Sequence, residues 1–268
     1  MNDSTDARTQ RFPRWLSWSL FTALGVLVLG YGAILVYANF INDGPEAFDE
    51  SDLEAALGST TTDGTDDAST VTSTPTSTVA TTAASSSSPP TSGTTQPREQ
   101  WRITAGSEVG YRVTEVLFGV DTEGVGRTSE VSGGIEIDGT QVVVAAFDVD
   151  VASIESDDPR RDSQFRGRIM SADDFPVATF VLTEPIELGT DAAEGVTVTT
   201  TATGELTLRG VTNPVTFEVS AQQQDGRIGI LGSIAVTFAD YEIANPSFGG
   251  ITTEDVGLVE FVLVLEPA

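Results

Sequence analysis

From Arg98 onward the chain alternates apolar and polar residues with a period of two, and no other feature narrows its folding options as far. Phe147, Val149 and Val151 fall on one side of an extended chain, Asp148 and Asp150 on the other. Val215, Phe217 and Val219 oppose Thr216 and Glu218, and Ile234, Val236 and Phe238 oppose Ala235 and Thr237. Side chains along a strand point alternately to its two faces, so this pattern predicts strands with one buried and one wet face. The predicted strands are Trp101–Ile103, Val109–Phe118, Thr128–Ile137, Val142–Ile154, Ala178–Leu188, Val196–Leu208, Val215–Gln222, Arg227–Phe238 and Val256–Leu265, with turns such as Asp138-Gly139 and Asp225-Gly226 between them. Eight or nine such strands in one domain bury their apolar faces as a sandwich or as a closed barrel. The last strand, LVEFVLVLE, is apolar on both faces, so its outer side is expected to be covered too.

One stretch interrupts the strands. In Arg160–Phe180, RRDSQFRGRIMSADDFPVATF, Asp162 is placed to cap a short helix over Ser163–Met170, with Phe165 and Ile169 on one apolar face. Pro176 then forces an extended chain leading into the next strand. The segment reads as a lid or buttress laid across the sheet.

Upstream, Trp15 to Asn42 is a run of 28 residues without a charge. About 20 apolar residues cross a bilayer core, so residues 15–41 are expected to span the membrane as a signal anchor. Arg8, Arg11 and Arg14 precede this run, while Asp43, Glu46, Asp49 and Glu50 follow it. That asymmetry keeps residues 1–14 in the cytoplasm and places the rest outside. A cleaved signal peptide is the alternative, with Val36-Tyr37-Ala38 as a passable cleavage site, though its apolar core would be unusually long. Residues 42–97 are expected to be a disordered linker, acidic first and then Ser/Thr-rich. Of the 39 residues in Ser59–Pro97, 23 are Ser or Thr, and such a segment cannot bury enough apolar surface to order itself. Within the acidic part, Pro45–Leu57 has the spacing for two or three helical turns that would be marginal alone. Residues 98–268 are the folded domain.

Composition removes most chemistry. The chain has no Cys, His or Lys. Disulfides, thiolate metal sites, Ser–His–Asp triads and Ser–Lys dyads are therefore excluded. The net charge of −27 argues against nucleic acid, whose binding relies on cations that neutralise phosphate. Asp157-Asp158, Asp173-Asp174 and Glu254-Asp255 lack the spacing of a calcium loop and read as solvated turn acids. No catalytic, metal or cofactor site is predicted.

The interior remains. Phe147, Val149, Phe180, Leu182, Leu206, Leu208, Phe217, Ile234, Val236, Phe238 and Phe261 are the inward candidates. An eight-stranded barrel is either filled by its side chains or just wide enough for one small ligand, and these residues would be apolar in both cases. Arg160, Arg161, Arg166 and Arg168 pair with nearby Asp157, Asp158, Asp162, Asp173 and Asp174 on one reading. On the other, Arg161 and Arg166 form a cationic lip for a ligand's head group.

The pattern Arg161-Asp162, Phe165-Arg166, Met170, Phe175-Pro176 and Thr179-Phe180 resembles the signature of the YceI family. A second stretch agrees: Gly204–Phe217, GELTLRGVTNPVTF, is similar to that family's strand–turn–strand around Gly-Val-Thr-x-Pro. Many members carry His where this chain has Gln164. The resemblance covers Arg98 to the C-terminus and implies an all-β, antiparallel, eight-stranded lipocalin-like barrel with a short helical lid. It also implies an isoprenoid lipid, a polyprenyl chain or isoprenoid quinone, held along the axis by the eleven inward residues. The whole chain is then expected to be a single-pass protein of the cell membrane carrying an extracytoplasmic lipid-binding domain. The alternative is a filled barrel acting as a structural or protein-interaction module of the envelope.

Overall fold

The computed structural model describes residues 26, 28–33, 44–58, 98–117, 119–247 and 250–268. Twelve strands are present among them: β1 (Glu99–Ile103), β2 (Glu108–Leu117), β3 (Val120–Thr128), β4 (Val131–Asp138), β5 (Gln141–Asp150), β6 (Glu155–Ser156), β7 (Val177–Leu182), β8 (Ile186–Glu187), β9 (Val198–Leu208), β10 (Val211–Gln224), β11 (Arg227–Thr237) and β12 (Ile251–Pro267).

Register merges these into eight staves. β1 and β2 follow one another along β12, with Ile103 opposite Leu265 and Glu108 opposite Val262. β3 and β4 likewise follow one another along β2 and β1, with Thr128 opposite Val109 and Ile135 opposite Trp101. From β4 the sheet passes through β5, β7, β9, β10, β11 and β12, and β12 returns to β1. Every pair is antiparallel, so the result is a closed up-and-down barrel with no free edge to the ring. Among the predicted strands, β3 was missed. Its sequence, VDTEGVGRT, mixes acids and glycines without alternation, and it is strung along β2 by backbone pairing rather than by one apolar face.

The lid starts earlier than the sequence predicts. Asp158, not Asp162, caps a helix, α2 (Pro159–Gln164): its carboxylate accepts from Arg160 N at 2.8 Å, and Pro159 opens the first turn. Asp162 is buried inside that helix, where its carboxylate accepts from Ser156 N at 2.9 Å and Ser156 Oγ at 2.6 Å. Phe165–Ile169 continues as a single π-helical turn, closed by Met170 N donating to Phe165 O at 2.8 Å. Ser156 belongs to β6, which pairs with Gly126 and Arg127 of β3, so the lid is pinned to that side of the barrel.

Part of the stretch assigned by sequence to the 42–97 linker is structured. Residues 44–58 lie against the outer wall and include a helix, α1 (Glu50–Gly58). Leu53 and Leu57 pack on Val264 and Leu231, and both Leu53 and Val264 are 0% exposed. This is the outer cover expected for the doubly apolar last strand. Helix α1 is marginal alone and is stabilised by burying two leucines, each contributing about 1.5–3 kcal/mol. Residues 59–97 lie outside the described residues. Of the expected span 15–41, only residue 26 and residues 28–33 are described. Residues 28–33 are helical, with Val28, Leu29 and Tyr31 exposed. No helix among the described residues is long and apolar enough to cross a membrane.

Candidate functional site

The barrel is hollow. A cavity of about 220 Å³ runs along its axis, from Ile186, Ile228 and Leu263 at one end to Phe165, Met170 and Ile243 beneath the lid. All eleven inward residues predicted from sequence line it: Phe147, Val149, Phe180, Leu182, Leu206, Leu208, Phe217, Ile234, Val236, Phe238 and Phe261. Period-two alternation located them because a barrel wall, like any sheet, sends every second side chain inward.

Aromatic rings leave room because they lie against the wall. A methyl on Gly204 would meet the Phe180 ring at 2.5 Å, one on Gly126 the Tyr111 ring at 2.5 Å, and one on Gly232 the Phe261 ring at 2.6 Å. In each case the ring covers the bare backbone of a neighbouring stave. Phe180, Phe217 and Phe261 form an edge-to-face row, with centroids 5.5 and 6.0 Å apart. Under the lid, Phe165 stacks on Tyr111 at 4.6 Å.

The lining is apolar except at the lid end. There Arg161 and Glu115 face the cavity and approach to 3.7 Å. Arg161 is also hydrogen-bonded to Asp157, four residues earlier and just ahead of α2. The local pairing foreseen from sequence thus holds for Asp157. Glu115, two positions beyond the inward-facing Val113, was missed, although it continues the alternation 109, 111, 113, 115. Burial, with the nearby Asp157, pushes the Glu115 carboxyl up against the opposing pull of Arg161. Burial likewise pushes the Tyr111 phenol up. Arg166 does not line the cavity; its guanidinium donates to Ile154 O at 3.4 Å and braces the lid. Arg168 reaches Pro246 O at 3.1 Å, tying the lid to the loop before β12. The pairing with Asp158 and Asp162 foreseen for these arginines is not what those carboxylates do, because both serve the backbone around α2.

No group of three or more His, Cys, Asp and Glu among the described residues is placed to hold a metal ion. The arrangement is that of a container: a closed antiparallel β-barrel with an apolar lumen, a helical lid and one ion pair at the lid end. The chain belongs to the YceI-like domain family, whose sequence model matches residues 101–265. It is 30% identical over 142 residues to a UPF0312 protein of Vibrio parahaemolyticus, covering 50% of this chain and 70% of that protein. A UPF0312 protein of Vibrio campbellii is 32% identical over 142 residues, with the same coverage of 50% and 70%. Among solved structures, a polyisoprenoid-binding domain from Saccharophagus degradans, implicated in plant cell wall breakdown, superimposes with a TM-score of 0.51 at 19% identity. The match covers 64% of this chain and 100% of that one, and it speaks for the fold.

Proposed function

We propose that this protein is a membrane-anchored, extracytoplasmic binding protein for a long apolar lipid, a polyisoprenoid or isoprenoid quinone, acting as carrier or sensor. The observation that carries this reading is the hollow, apolar lumen. The family membership and the polyisoprenoid-binding relative of the same fold support it, and the uncharged run of residues 15–41 supports the anchor.

Energetics decide what kind of binder this is. Moving one five-carbon unit out of water is worth roughly 4 kcal/mol, at about 0.8 kcal/mol per carbon. A lipid that starts in a bilayer is already dry, so transfer into the lumen is nearly neutral and reversible. An apolar cavity of about 150 Å³ admits a benzene-sized molecule. At about 220 Å³ the lumen therefore holds a short piece of a tail, and a longer chain needs more room than it offers. Arg161 at the lid end is the group on hand for a carbonyl or hydroxyl on the ligand's head. Arg166, turned to the backbone of Ile154, is left with a bracing role.

Mass spectrometry of lipids extracted from the purified full-length protein tests this reading. About one isoprenoid per chain is expected. A chain recovered without apolar ligand from a membrane rich in such lipids favours the envelope-module alternative.

A further inference from the structure

We infer that residues Gly44–Gly58 are a strap that holds the lid side of the barrel against the membrane surface. The inference rests on the reading of residues 15–41 as a membrane span.

The strap is built into the wall. Glu260 lies on the outward face of β12, in phase with Val262 and Val264, yet it is only 3% exposed. It binds Arg112 Nε at 3.0 Å and Arg127 Nη2 at 2.9 Å. These two arginines then turn to the strap: Arg112 Nη2 donates to Pro45 O at 2.8 Å, and Arg127 donates to Glu46 O and lies 3.7 Å over the Phe48 ring. At the other end, Arg227 donates to Ala56 O and Leu57 O at 3.4 and 3.3 Å. Gly229 leaves the space that Leu53 fills, since a methyl there would meet Leu53 Cδ1 at 2.6 Å. Three of the domain's ten arginines, an outward buried carboxylate and a bare glycine all serve this one contact.

Its position sets the distance to the bilayer. Ile41 and Gly44 are three residues apart, a reach of at most about 11 Å, whereas a free 56-residue chain from Asn42 to Pro97 would span roughly 40 Å. Gly44 packs on Val125, next to Gly126, whose strand partner Ser156 is bonded to Asp162 of the lid helix. The span therefore delivers the barrel to the membrane beside its lid. Each isoprene unit that had to cross water would slow transfer roughly a thousandfold, so lid-side contact removes the main barrier to exchange.

The native chain has no Cys, so single labels are unambiguous. Arg160→Cys places a fluorophore on the lid helix and Gln224→Cys one at the opposite end of the barrel, both at exposed positions. The full-length protein is reconstituted in phosphatidylcholine vesicles containing a head-group-labelled acceptor lipid. Energy transfer from the lid label is expected to be at least twofold above that from the distal label. In Leu53→Asp with Leu57→Asp, and separately in Gly229→Val, which blocks the strap's seat without altering the strap, the two labels should become equal. Equal transfer in the native chain while it floats with the vesicles overturns the strap and leaves the anchor standing. So does a lid preference that both variants retain. A chain that does not float overturns the anchor and this inference with it.

Discussion

Phe180 lies flat over Gly204 because that position has no side chain, and the same arrangement of Tyr111 over Gly126 and Phe261 over Gly232 keeps the lumen open. Gly204→Ala should push both the Phe180 ring and the Val181 carbonyl of the neighbouring stave aside. The expected cost is about 1–3 kcal/mol of overpacking in thermal or urea unfolding, together with reduced lipid content in the purified protein. Glu115 carries a different kind of prediction. Its carboxyl is raised above the ordinary value of 4.5, chiefly by burial, so it favours the folded barrel while protonated. That contribution is fully present below the ordinary value and is lost as pH rises through the raised one. Glu115→Gln keeps the uncharged shape, so its stability relative to the native chain should increase between about pH 4 and about pH 7, read as a difference in Tm at the two pH values. A constant difference would mean that Arg161 fully compensates the buried charge. The eleven inward residues were legible at this scale, since burial on a sheet follows parity. Glu115 was legible by parity too, but an acid pointing into a greasy lumen contradicts composition-based expectation until its partner Arg161 is seen across the lid.

At the scale of elements, the lid shows how local and distant forces compete. Asp162 in sequence looks like a cap for the residues after it. Asp158 and Pro159 start the helix first, and Asp162 is left to tie α2 to Ser156 of β6. Asp158→Ala should cost about 1 kcal/mol of lid stability. Amide exchange in Phe165–Met170 would then speed up roughly fivefold, with the barrel strands unchanged. Exchange that accelerates throughout the barrel would show that the lid is part of the global folding unit. The strands themselves were read to within a few residues where alternation is strong. β3 was not, because a strand held between β2 and β6 by backbone bonds needs no hydrophobic pattern of its own.

For the whole molecule, closure of the ring makes one apolar wall into an enclosed volume, and its emptiness can be tested by filling it. Ala145 faces the cavity from β5, with its side chain buried. Ala145→Phe should occupy most of the remaining space and abolish co-purification of lipid while the circular dichroism of the barrel is kept. Retained lipid would place the ligand elsewhere. The sequence by itself determined the strands that alternate, the apolar residues on them that face inward, that the last strand is covered on both sides, and the family to which the domain is matched, because each depends on neighbours along the chain. Only the tertiary structure decided that the aromatic rings lie over glycines rather than across the axis, that Glu115 meets Arg161, and that residues 44–58 are bound to the wall. These depend on residues far apart in sequence, such as Pro45 with Arg112 and Leu53 with Val264, whose meeting is fixed by the register of the closed barrel and by no local pattern.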